Sequence, residues 1–421
     1  MIQLSLGAIY AWSAFTTPLQ GTPANPSEYH FTRTETQAIF SAGLATFAIV
    51  MIIAGRLQQK IAPRIVALGG LLLGAGYIGA GFTGASFLGK LLTIGIIGGA
   101  GIGFAYVVPI AVGVKWFPDK KGLLSGLAVA GFGFGSLIWI MLASPPAVLG
   151  VQGLIQTRGG TYAVANVDWV FMIFGIIFLV MIVAGSLVMV NPPAGYKPAG
   201  WVPPEPKDKG RAGSGGDFAS GEMLRTWQFY VAWGMFMFGA LAGLMVIGNV
   251  QNFAKDLIYG FQGHGFSARQ ATDIAVIGAA ICLPILNGTG RIVWGTTSDK
   301  IGSRRALLLM FLFQGTMTAV FFFTTVNEYL FYAVAALIGF NFGGTLALFP
   351  PFTADFFGSK NLGANYGLMF TAYGVGGIVG PILAGMVQDY GLSFLYAFIP
   401  ASLLCFVASV LTFLVRAPKA Q

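Results

Sequence analysis

GTTSDKIGSR, residues 295–304, follows a long apolar run and superposes on GRLQQKIAPR, residues 55–64, with a constant shift of 240. The shift pairs Gly295 with Gly55, Lys300 with Lys60, Ile301 with Ile61 and Arg304 with Arg64. Further on, WFPDKKG at 116–122 faces FFGSKNLG at 356–363, and AGFGFG at 130–135 faces AYGVGG at 372–377 after a one-residue slip. Two matches in register and in order indicate an internal duplication. The fold is therefore expected as two related halves.

The apolar runs say what the halves are made of. The chain has 421 residues, 56% hydrophobic and only 9% charged, whereas a soluble domain carries roughly a quarter of its residues as charges. Runs of about 20 apolar residues recur along the whole length. They predict twelve membrane spans, at 2–19, 35–56, 65–86, 89–113, 122–148, 168–190, 227–249, 271–296, 305–325, 329–353, 363–388 and 391–415. The first starts at Met1 with no basic residue before it and contains Gln3. A cleaved leader competes for that stretch, but a charged n-region and a small-residue cleavage site are missing, so it is assigned as the first helix.

Charge sets the topology. With loops assigned alternately, 17 of the 23 basic residues fall on one side and 5 on the other, Lys90 among the 5. The excess places that side and both termini in the cytoplasm. The net charge of +9 does not form a basic patch with interleaved aromatics, so nucleic acid is not an expected partner. Cys282 and Cys405 both lie in apolar runs and are expected as free thiols, and His30 and His264 fall in loops. No metal set or catalytic triad can be assembled from these residues, so neither an enzyme nor a cofactor is expected.

Between the sixth and seventh spans, NPPAGYKPAGWVPPEPKDKGRAGSGG, residues 191–216, holds six of the 20 prolines. Such a segment cannot pack a core and behaves as a linker. The expected organisation is an N-terminal six-helix bundle over 1–190, a cytoplasmic linker over 191–226 and a C-terminal bundle over 227–421.

One residue departs from this arrangement. Arg291 sits in PILNGTGRIVWG, residues 284–295, inside an apolar span. A cation in hydrocarbon costs at least ~2.5–3.5 kcal/mol, so it needs an aqueous cavity, a partner or an anionic ligand. No acid stands near it in sequence, and Asp299 belongs to a basic turn of its own. Its repeat mate is Met51, and that of Asn287 is Phe47, so the polar pair belongs to one half only. Asn287 lies one helical turn before Arg291 on the same face and can add donors to a carboxylate held by the guanidinium fork. Arg291 is read as the anchor of a small transported anion.

The pattern G-x-x-x-D-K-x-G-x-R at 295–304, its degraded copy at 55–64, twelve spans and a central linker together resemble the major facilitator superfamily over essentially the whole chain. Within it, NGTGR, SDKIG, KWFPDKKGLLSG, GEMLRT and NYG resemble the oxalate–formate antiporter family and its bacterial lactate-transporter branch, which are similar to the monocarboxylate transporters. The resemblance implies an all-α fold of two pseudo-symmetric six-helix bundles. It also implies alternating access around a midplane site, to which helices 1, 4, 5, 7, 10 and 11 are expected to contribute apolar wall. The copy at 55–64 carries Gln59 where an Asp is usual and Ala62 where a Gly is usual. A charge latch is therefore expected only in the C-terminal half, from Asp299 beside Lys300 and Arg304.

Further site residues come from tyrosines, which offer a hydroxyl on an apolar body. Tyr106 in GIGFAYVVP matches a binding position of the family, and Tyr10 in GAIYAW and Tyr373 in FTAYGVGG are the other candidates. Tyr373 falls where the resembled oxalate carriers have a lysine, and Leu346 where they have a tyrosine. One cation without the second points to a monoanion. Asn287 stands where the animal monocarboxylate transporters typically have an Asp, which puts their proton coupling in doubt here. GGAGIGFA at 98–105 looks like a phosphate loop but follows no strand, and its glycines are read as close helix crossings. The expected function is transport of a small monocarboxylate such as lactate, with protons, by a monomer in the cell membrane. An oxalate–formate exchanger, a drug exporter and a carboxylate sensor are the alternatives.

Overall fold

In a bilayer every backbone N–H and C=O must be satisfied within the chain, and the twelve apolar runs meet this condition as helices. The computed structural model describes the chain except residues 22–25, 59, 118–120, 147–148, 194–195, 197–216, 263–266, 359–360 and 419–421. Gln59, His264 and most of the proline-rich linker lie outside the described residues.

The helices are α1 (2–20), α2 (Arg33–Leu57), α3 (Pro63–Ala80), α4 (87–116), α5 (Lys121–Ala143), α6 (Val164–Leu187), α7 (Trp227–Gln262), α8 (268–301), α9 (Ser303–Phe321), α10 (Glu328–Phe357), α11 (362–389) and α12 (Leu395–Leu414). Eleven of them are long and apolar enough to cross a membrane. The first expected span, 2–19, differs, being three pieces: Ile2–Leu6, a 3-10 segment Gly7–Ala11, and Ser13–Gln20 with Pro18 inside. Helix α5 stops at Ala143, short of the expected 148, because Pro145 and Pro146 follow and cannot donate to the ladder. Helix α7 instead runs on from 249 to Gln262.

Successive helices run antiparallel. Phe218, just before α7, bonds to Phe357 and Asn361 at the turn after α10, which marks one end of the bundle; the start of α2 bonds to Asp389 at the end of α11, which marks the other, here called the far end. The two sets of six helices meet where α2 packs along α11 and α5 along α8.

Close packing of α8 on α10 places Arg291. Glycines on α10 recur at Gly339 and Gly343, one turn apart, so two ridges of backbone meet without side chains between them. A Cβ at Gly339 would lie 2.3 Å from the Leu283 carbonyl, and one at Gly343 2.1 Å from the Asn287 carbonyl. From the other side, a Cβ at Gly290 would lie 2.0 Å from the Phe340 carbonyl. Upstream, an i to i+5 turn at Gly278–Cys282 and Pro284 interrupt the regular ladder. Gly343→Ala is therefore expected to destabilise the protein by about 1–3 kcal/mol, because the obstructing atom is backbone. Thermal unfolding in detergent should show a lowered midpoint for this variant and none for Gly295→Ala, where nothing lies within 4 Å. Equal midpoints for both would show that α8 and α10 are not locked at this crossing.

Candidate functional site

Arg291 is fully buried, and its three nitrogens are used unequally. Nε donates to Asn287 Oδ1 at 3.1 Å, one turn earlier on α8. Nη1 donates to the Val129 carbonyl on α5 at 2.8 Å, reaching from one half of the molecule into the other. Among the described residues Nη2 has no hydrogen-bond partner, nor has the Nδ2 of Asn287. The guanidinium also lies over the ring of Phe132, 5.7 Å from its centroid, a cation–π contact that holds the fork without satisfying its donors.

Phe132 is the centre of an aromatic wall. Tyr10 meets it edge-on at 4.9 Å and Tyr106 at 5.3 Å, so both tyrosines are drawn to the ring that the guanidinium covers. Tyr10 and Tyr373, from opposite halves, share a hydrogen bond between their hydroxyls at 2.8 Å. Phe370 stacks on Tyr373 at 4.8 Å. Phe47 touches Tyr106 at 5.0 Å and Phe370 at 5.2 Å. Leu346 is buried on α10, three residues past Gly343. A Cβ at Gly133 would lie 2.7 Å from Asn287 Oδ1, so α5 presses directly on the amide that orients the arginine.

Phe47 and Phe132 were not among the residues singled out from sequence. A signal for Phe47 existed, since it is the repeat mate of Asn287: α2 presents an aromatic ring where α8 presents the polar group. Phe132 lies in the AGFGFG run, where the glycines hid it. The Val129 carbonyl had no signal, because a backbone acceptor is invisible in sequence.

One expectation is corrected. Loop charge puts Lys90 on the outer side and leaves Arg291 as the lone buried cation, but Lys90 is fully buried at the start of α4. Its Nζ pairs with Asp168 at the start of α6 and donates to the Ala80 carbonyl at 2.6 Å. Tyr29 donates to the same carboxylate at 2.6 Å. The residues concerned are 78 apart in sequence, so each was read against its own loop. The residues of the expected latch are placed at the end of α8 and the start of α9. Asp299 and Lys300 are exposed, while Arg304 donates from Nε to the Thr412 carbonyl at 2.8 Å and from Nη2 to that of Phe413. A cation there satisfies the last carbonyls of α12. The acid that binds this turn is Asp355 of α10, which accepts from the Ser303 hydroxyl.

A helical bundle whose halves meet at one buried, half-satisfied cation has the architecture of a membrane solute carrier. The chain belongs to the Major Facilitator Superfamily, whose family model matches residues 4–326 and 262–421; these are transport proteins, not enzymes. It is similar to the MFS-type transporter YhjX of Escherichia coli, 29% identical over 89% of this chain and 83% of that one. It is equally similar to the oxalate:formate antiporter of Oxalobacter formigenes, 29% identical over 96% and 86%. Apicoplast pyruvate carrier 1 of Toxoplasma gondii is 26% identical over 79% and 66%.

Proposed function

We propose that the chain carries a small monocarboxylate, L-lactate or a close analogue, across the cytoplasmic membrane by alternating access, as a monomer with both termini inside and a proton accompanying the anion. The observation that carries this reading is the pair of buried donors left over at the site, Arg291 Nη2 and Asn287 Nδ2. A carboxylate accepts from both, and its hydrocarbon part then rests on Phe132, Tyr106 and Phe47. Tyr10, Tyr373 and Leu346 complete the wall. The oxalate:formate antiporter and the pyruvate carrier among its relatives support a small organic anion.

The antiporter relative also supports a second reading, exchange of one small anion for another. Electrostatics bears on the choice. An anion on Arg291 neutralises the cavity, so the loaded carrier can reorient without a bare buried charge, whereas the empty one retains it. Efflux of labelled lactate from proteoliposomes should therefore rise severalfold when unlabelled lactate is added outside at equal pH. Equal rates would remove the role given to charge neutralisation. Uptake driven by a pH gradient with no internal anion marks symport, and a strict need for internal anion marks exchange.

A further inference from the structure

A helix leaves its first N–H groups without partners in its own ladder, and in α2 these donors are shared between two sources. Thr32 Oγ1 accepts from the Glu35 N–H at 3.1 Å, and the Glu35 carboxylate accepts from the Thr32 N–H at 2.8 Å. That reciprocal cap lies within one segment. The N–H groups of Arg33 and Thr34 reach into the other half instead, donating to the two carboxylate oxygens of Asp389 at 3.1 and 2.9 Å. The Thr34 hydroxyl donates to the same carboxylate, and Arg33 Nη1 donates to Gln388 Oε1 at 2.9 Å. Gly385, one turn earlier on α11, marks how close the approach is: a Cβ there would lie 3.1 Å from Thr34 Cα.

Asp389 is badly placed for its own helix. It ends α11, whose last turn holds no basic residue, and a carboxylate at a helix C-terminus is repelled by the unpaired carbonyls. At the N-terminus of α2 the same charge is favourable, because it faces bare N–H groups and the positive end of the dipole. The gain therefore exists only while the two halves touch at the far end. Asp389 is also exposed, so water can replace α2 around the carboxylate when the halves part, and the contact is reversible. A carboxylate buried at the same seam would lack that exchange and would hold the halves permanently.

We propose that Asp389 is a gate: its carboxylate caps α2 across the seam and holds the far end closed, so that this one charge biases the equilibrium between the two orientations of the carrier. The proposal rests on the alternating-access reading, in which α2 and α11 separate at the far end when the carrier opens there. The competing role is a static cap, which stabilises the end of α2 equally in every orientation.

A cysteine placed behind the contact separates the roles. Ser41 lies two turns in from Arg33, is 1% exposed, and donates from its hydroxyl to the Ile378 carbonyl of α11 at 3.4 Å. Ser41→Cys, in a chain whose two cysteines are removed by Cys282→Ala and Cys405→Ala, is labelled with a maleimide in purified protein without substrate. A gate makes Asp389→Ala label about tenfold faster or more, the worth of one charge-assisted hydrogen bond read as a population shift. Thr32→Ala, which weakens the same helix end from within its own segment, then stays within about twofold of native. Where Asp389→Ala does not fold, Asp389→Asn keeps one acceptor oxygen and loses the charge, and a rise of about threefold is expected. An equal rise in Thr32→Ala overturns the proposal, since fraying of α2 then exposes the cysteine. Gly385→Trp, a wedge at the same contact, settles a negative result. Faster labelling with the wedge but a native rate in the Asp389 variants overturns the gate alone, whereas native rates in all of them overturn the gate together with the opening of this seam. Flux in Arg291→Ala tests the carboxylate reading separately, because the labelling uses no anion.

Discussion

Replacing Arg291 by lysine is expected to lower lactate flux on the order of 100-fold, the penalty for losing alignment at a positioned site, while weak binding survives. Charge is preserved in this variant, but the fork is not. In the native protein Nε is tied to Asn287 and Nη1 to Val129, and these two bonds leave Nη2 as the donor without a partner among the described residues. A lysine ammonium has one nitrogen, and the carbonyl and amide oxygens already present will claim it. Arg291→Ala is expected to lose binding as well as flux. Flux assays in proteoliposomes and equilibrium binding on purified protein separate the two variants. Native flux in Arg291→Ala would mean that the anion is held elsewhere.

Lys90→Met should have the largest effect on stability, about 3–5 kcal/mol, because it leaves the Asp168 carboxylate buried without its cation. Among the described residues Asp168 would retain the hydroxyl of Tyr29, and the Ala80 carbonyl would lose the Lys90 donor. The double variant Lys90→Met/Asp168→Leu should recover most of the loss, since an apolar pair of similar volume carries no desolvation penalty. Thermal unfolding of the purified protein checks both steps. Arg291 lies in a different part of the bundle, so lactate affinity should stay near native in whatever fraction remains folded. A double variant as unstable as the single one would show that the cluster stabilises through packing on Phe171 and Tyr29 instead of through its charges.

The contrast between Arg291 and Lys90 marks where sequence reading stops. Class, span number and the duplicated halves follow from chain-local quantities: apolar run length against bilayer thickness, loop charge, and a repeat at a fixed shift. Arg291 was legible for the same reason, since an arginine in mid-span stands out against its own neighbours. Lys90 and Asp168 each lie near a span end, where a charge looks ordinary, and only the packing of α3 against both α4 and α6 brings them together and out of water. The pairing of Tyr10 with Tyr373 joins residues 363 apart, and the hold of Arg291 on Val129 spans 162. Neither distance leaves a periodic trace. Sequence by itself therefore determined the class, the two-half plan and the single mid-span cation. Only the tertiary structure decided which donors of that cation are consumed and which remain, because hydrogen-bond satisfaction is a property of neighbours in space, and backbone carbonyls that compete for a guanidinium carry no side-chain identity to read.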